Sequence, residues 1–178
     1  MKFQLRLATA TDIEPIRELI ADSVRGLAKG IYSDAQIELS IRSVFGVDHQ
    51  LIEDGTYFVA DVGGRIVGCG GWSRRQTLFG ASEYAESRNS TPLDPRSQPA
   101  KIRAFFVHPD AARRGIGRAI LQRCEAGALE AGFTTAEMMA TLPGVPLYEA
   151  CGYEKHEVHD VNLPDGGTIV CVRMSKRL

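Results

Sequence analysis

The chain has 178 residues, 44% of them apolar, and a formal net charge of −1. That length fits one domain with one sizeable core, and the near-neutral balance leaves no long-range pull toward nucleic acid or an anionic membrane, so any basic site has to be local. The N-terminal stretch MKFQLRLATATDIEPI alternates and then turns polar, unlike a secretory signal. No apolar run approaches the ~20 residues of a membrane span. Cys69, Cys124, Cys151 and Cys171 are scattered without CxxC spacing. Together these features point to a cytoplasmic protein with reduced, buried thiols, no metal site, and neither nucleic acid nor membrane as partner.

Residues 2–8 place Phe3, Leu5 and Leu7 on one face of a predicted strand. Thr11-Asp12-Ile13-Glu14 offers a capping box, and Ile13, Ile16, Ile20, Val24 and Leu27 continue at helical spacing for some four turns. Residues 34–45 repeat the helical pattern behind Ser33 or Asp34. The period then changes to two. Residues 56–62 and 65–72 predict two strands around Gly63-Gly64, a tight-hairpin signal. Trp72 with Arg74-Arg75 is expected to end the second of these at the rim of a cleft. A strand over 101–107 closes at His108-Pro109, and a helix runs from about Gly115 to Ala131 with Gly132 as its stop. A strand over 133–141, a short helix over 144–151, and strands over 153–161 and 167–175 around Pro164-Asp165-Gly166-Gly167 complete the chain. His156 and His159 stand three apart in a strand, which puts them on opposite faces and makes them two surface histidines. The order β-α-α-β-β-β-α-β-α-β-β is that of a single α/β domain with a mixed sheet. Residues 75–100, with Pro92, Pro95 and Pro99, form a loop too long for an ordinary connection.

The most informative segment is 107–132. Gly115-x-Gly117 opens a helix behind a basic loop, and free N–H groups of the first helical turn, reinforced by the dipole, make an anion site there. Arg113, Arg114 and Arg118 add charge suited to phosphate oxygens. Gly-x-Gly alone is equally compatible with a plain helix start. Two rival phosphate motifs fail: the dinucleotide fingerprint needs glycine where Ile120 stands, and no Gly-Lys-Ser/Thr triplet occurs.

What remains, Phe106-Val107-His108-Pro109 followed by Arg114-Gly115-Ile116-Gly117-Arg118-Ala119-Ile120-Leu121, resembles the acetyl-CoA signature of the GCN5-related N-acetyltransferase (GNAT) family. A second stretch, Pro146-Leu147-Tyr148-Glu149-Ala150-Cys151-Gly152-Tyr153, is similar to that family's later tyrosine motif, at matching spacing and order. The leading Arg/Gln position of the first motif falls on Ala112, which shifts the expected grip to backbone amides and to Arg113 or Arg114. The resemblance implies a GNAT-like mixed, mostly antiparallel central sheet of about seven strands flanked by about four helices, splayed between the fourth and fifth strands. It implies acetyl-CoA as cosubstrate, with its pantetheine arm along Phe105, Phe106 and Val107 and its pyrophosphate at Arg113, Arg114, Gly115, Ile116, Gly117 and Arg118. The late strands suggest a homodimer by the same likeness.

The implied reaction is direct acetyl transfer to the amine of a small-molecule or peptide acceptor. An alkylamine of pKa about 10.4 must lose a proton before it attacks, the tetrahedral oxyanion needs a donor such as a fourth-strand N–H, and the departing thiolate needs a proton. Tyr148 is the candidate acid for that last step. His108, Glu137, Glu83 and Glu86 are positional candidates for the base, none favoured. A non-catalytic acyl-CoA-binding module is the alternative reading, against which Tyr148 argues. The 75–100 loop is expected to border the acceptor site.

Overall fold

A computed structural model of the chain describes residues 2–80, 89–163 and 167–178. Its seven strands are β1 (Gln4–Leu7), β2 (Tyr57–Val62), β3 (Arg65–Ser73), β4 (Ala100–Val107), β5 (Thr135–Thr141), β6 (Glu154–Asn162) and β7 (Thr168–Arg177). They form one sheet in the order β1-β2-β3-β4-β5-β7-β6. Every neighbouring pair is antiparallel except β4 and β5. Five helices are described: α1 (Ile13–Leu27), α2 (Asp34–Ser43), α3 (His49–Glu53), α4 (Ile116–Glu130) and α5 (Val145–Glu149). The mixed sheet and its helices are those expected from sequence, with α3 as an extra turn. Its cap is Asp48, whose side chain accepts from the Leu51 N–H.

Two apolar layers cover the sheet. On one face Ile16 and Ile20 of α1 and Leu51 of α3 pack on Val59 and Cys69. On the other Ile116, Ile120 and Leu121 of α4 pack with Phe58 and Met138. Trp72 belongs to this second layer, edge-on to Phe133 at 6.1 Å and against Gly127. It is therefore a core residue, not the cleft-rim residue its sequence neighbours suggested. The start of α1 also differs from expectation. The capping box lies two residues earlier, where the Thr9 N–H and hydroxyl donate to Asp12. The Arg6 guanidinium clasps the same carboxylate at 2.8 Å through both nitrogens and holds its pKa down at about 2.

The feature that positions the site is the brevity of the β4–β5 pairing. Only Ala100↔Ala136 and Lys101↔Glu137 are in register, after which the strands part. Lys101 and Glu137, both buried, form an ion pair at this last rung, and Arg173 of β7 braces the same carboxylate at 3.0 Å. Just beyond, β4 carries one extra residue against β3: between the pairs Cys69↔Phe106 and Gly71↔Arg103, one residue of β3 faces two of β4. This β-bulge holds Ala104 in the left-handed region at φ 56°, a conformation that costs an L-residue about 1 kcal/mol or more. The Tyr57 hydroxyl, fully buried, donates to the Ala104 carbonyl at 3.2 Å and fixes the distortion from beneath.

Removing one partner of a buried ion pair leaves the other charge uncompensated. Glu137→Gln is expected to lower stability by about 3 kcal/mol in urea denaturation, with the double change Lys101→Met/Glu137→Leu recovering most of the loss. Equal stability of Glu137→Gln and the parent would show that the rung is not closed by this pair.

Candidate active site

The splay opens a cleft of about 530 Å3 bounded by the end of β4, the start of α4, α5 and the C-terminal part of α1. That volume is in the range of cofactor sites. Its lining includes nine of the ten site residues proposed from sequence: Phe105, Phe106, Val107, Arg113, Gly115, Ile116, Gly117, Arg118 and Tyr148. Arg114 is exposed and is not part of the lining.

At the mouth of the cleft the backbone turns sharply. Arg113 and Gly115 both lie in the left-handed region, at φ 62° and 83°, and Gly115 is the N-cap of α4. The first amide of this region to find a backbone acceptor is Ala119, on Gly115 O at 3.0 Å. The N–H groups of residues 113 to 118 make no hydrogen bond to another described residue, so they remain available to an anion. At Gly117 a Cβ would stand 2.9 Å from Leu147 Cδ2, so the glycine lets this side chain of α5 pack close against the start of α4. Arg118 completes the wall by donating to the Ala150 carbonyl at 3.2 Å.

Tyr148 sits at the inner end. Its ring is edge-on to Phe105 at 6.1 Å and to Tyr153 at 6.0 Å. It is 93% removed from solvent, and burial pushes its phenol well above the ordinary tyrosine range, so it stays protonated. Tyr148 also lines a second, smaller cavity on the α2–α3 side of β4, which shares Phe45, Phe105, Phe106 and Thr141 with the cleft. The described part of the 75–100 insertion reaches this cavity through Leu78, Phe79 and Gly80. Arg103 holds the insertion there by donating to the Thr77 carbonyl at 2.7 Å.

The base candidates are placed as follows. Glu137 is committed to Lys101 and Arg173 at the closed end of the splay and lines neither cavity. His108 caps the turn before α4: its Nδ1 accepts from the Asp110 N–H, and Nε2 lies 2.8 Å from the Arg65 guanidinium. It too lines neither cavity. Glu83 and Glu86 lie outside the described residues. His156 and His159 are exposed on β6, and no group of three or more His, Cys, Asp or Glu among the described residues could hold a metal ion. All four cysteines are free.

Sequence reasoning missed Ser23 and Tyr32. Ser23 of α1 accepts from the Val107 N–H at 3.2 Å on the cleft wall. Tyr32 donates to the Val170 carbonyl and accepts from the Leu142 N–H at 2.9 Å, joining the α1 side of the cleft to β5 and β7. Both act across more than 80 residues of chain, which no local pattern reveals.

The acetyltransferase (GNAT) domain model matches residues 53–155, more than half of the chain, and the chain belongs to that family. No curated protein matches in sequence. Among solved structures, a GCN5-related N-acetyltransferase from Rhodopseudomonas palustris superposes with a TM-score of 0.72 at 18% identity, over 100% of this chain and 97% of the other. The PaiA N-acetyltransferase from Thermoplasma acidophilum, in complex with coenzyme A, gives 0.67 at 16% identity over 100% of both chains. A phosphinothricin acetyltransferase from Sinorhizobium meliloti, in complex with acetyl-CoA, gives 0.64 at 22% identity, covering 100% of this chain and 89% of that one. These likenesses establish the GNAT fold.

The tyrosines make the site's burial measurable. Tyr57, Tyr148 and Tyr153 are all raised by burial above the free phenol value, so the folded state favours their neutral forms. Their contribution to stability is complete below pH about 10 and is lost as the pH rises above it, where only the unfolded chain ionises. Chemical denaturation at pH 8 and pH 10.5 is expected to show a drop in stability that Tyr148→Phe makes smaller.

Proposed function

We propose that this protein transfers the acetyl group of acetyl-CoA directly to the amine of an acceptor, with Tyr148 as the acid that protonates the departing thiolate. The observation that carries the reading is the shared position of Tyr148. It lines both the long cleft, which ends in free amides and Arg113, and the smaller cavity across β4. The amides of residues 113–118 with Arg113 and Arg118 receive the pyrophosphate, and the pantetheine arm follows Phe105, Phe106 and Val107 toward Tyr148. The preference for side chains other than Arg114 is supported by its absence from the lining. The coenzyme-bound neighbours of the same fold support the choice of cofactor.

In the reaction the neutral amine nitrogen attacks the thioester carbonyl, a C–N bond forms, and the C–S bond breaks. The proton shed by nitrogen passes to water, and the Tyr148 phenol gives its own to the sulfur and recovers one from solvent. A buried phenol keeps that proton throughout the neutral range, so it is always in the donor form. A backbone N–H in the bulged part of β4 is the proposed oxyanion donor. We further propose that residues 1–178 form one domain, with residues 75–100 as an insertion bordering the acceptor side. The free thiols support a reducing, cytoplasmic location.

Two variants separate binding from chemistry. Tyr148→Phe is expected to lower kcat on the order of 100-fold while acetyl-CoA at a hundredfold excess over Kd still stabilises the fold by about 2.7 kcal/mol. Unchanged turnover removes the tyrosine from the mechanism. Gly115→Ala forces a side chain into the left-handed region, at a cost of about 1–2 kcal/mol. It is expected to weaken coenzyme A binding roughly tenfold in calorimetry. Affinity equal to the parent's would place the pyrophosphate elsewhere.

A further inference from the structure

The cavity on the α2–α3 side of β4 has a chemical character of its own. Phe45 is edge-on to Phe79 at 6.1 Å and to Phe106 at 5.8 Å, so the three rings form a continuous apolar wall. Leu78 and Met139 extend it. Arg103 is the one charged residue among the described residues lining this space, and its charge is already met. The guanidinium is 3.0 Å from the buried Asp48 carboxylate, and it donates to the Thr77 carbonyl and to Gln50 Oε1. A carboxylate or phosphate entering here meets a cation already neutralised, and among the described residues of the lining a second ammonium meets no carboxylate except the one Arg103 holds. Against these residues either charge would be desolvated beside phenyl rings without a partner, which is costly. The cavity measures about 70 Å3, room for about five water-sized groups.

Resting on the acyl-transfer reading above, we propose that the acceptor is a small primary monoamine on an uncharged apolar skeleton, a short linear or branched alkyl chain, seated between Phe45, Phe79 and Phe106. Its nitrogen points to the junction at Phe105 and Tyr148, where this cavity meets the cleft. Selectivity follows from the wall: it accommodates an apolar group and penalises an added charge on the same skeleton. The apolar surroundings also favour the neutral amine over the ammonium, and the neutral form is the nucleophile.

The test compares matched pairs by thiol release from acetyl-CoA: 3-methylbutylamine against leucine, 2-methylpropylamine against valine, and n-butylamine against putrescine, with a leucyl peptide amide alongside. Acetyl-CoA binding is measured by calorimetry on the same protein. The monoamine of each pair is expected to have at least tenfold higher kcat/KM, and Phe79→Ala to raise its KM about tenfold with acetyl-CoA affinity unchanged. A preference for leucine, valine or putrescine, or for the peptide amide over all three monoamines, overturns the proposal. So does the absence of turnover with every amine while acetyl-CoA binds. In each of these cases the cofactor reading stands, whereas failure of acetyl-CoA to bind removes that reading and this inference together.

Discussion

Everything at the site depends on two adjacent strands that stay together for only two residue pairs. A parallel pair is normally sustained along its length by evenly spaced hydrogen bonds, and separating it exposes backbone groups that have to be satisfied by something else. Here the closed end is held by the Lys101–Glu137 pair, braced by Arg173. Beyond it β4 is bent by an extra residue whose carbonyl is held by Tyr57. The strand end is then tied from outside: Ser23 of α1 accepts from the Val107 N–H, and the Val67 carbonyl accepts from the His108 N–H. The cleft is thus held by contacts on either side of β4.

The far end of the cleft solves a different problem, how to present positive potential without a buried cation. Arg113 and Arg118 are exposed, where bulk water screens them, and they add local charge at small desolvation cost. The directional part of the recognition belongs to backbone amides, whose geometry is fixed by left-handed conformations at Arg113 and Gly115. Ala112 has no polar side chain to contribute, and the backbone arrangement does not require one. A glycine absorbs one of these two conformations freely, whereas Arg113 holds its own at a cost.

Much of this was legible in the sequence because it is local. Ile16, Ile20 and Val24 announce α1, Ser33 caps α2, and the Gly-x-Gly and Tyr-Glu-x-x-Gly-Tyr segments sit on single turns whose chemistry can be read in place. The short helix α3 was also within reach through Asp48, but five residues are too few for a periodic signal. What was not legible is non-local. The bulge occurs in KIRAFFV, which contains no glycine to mark it, and the conformation of Ala104 is imposed by its neighbours in the fold. His108 and Glu137 looked available for proton transfer by position alone. Their engagements, with Arg65 in one case and with Lys101 and Arg173 in the other, come from partners 36 to 43 residues away. Phe45, Phe79 and Phe106 are likewise brought together by the fold from three separate segments.

The bulge has one more consequence, which joins the two cavities. In a regular strand Ile102 and Ala104 would share a face. Here Ile102 packs in the layer under α4, and Ala104 in the layer under α1 to α3. The extra residue inverts the alternation, so Phe105 falls on the α4 side beside Tyr148, and Phe106 falls on the other side against Phe45. Without the inversion the two rings would exchange places. Phe106 would then be directed toward Tyr148, and the wall formed with Phe45 would lose its middle member. One backbone irregularity therefore opens the strand toward the cleft and assigns each of two successive phenylalanines to its own side of the reacting centre. That coupling gives a physical reason for keeping an alanine in a strained conformation at this position.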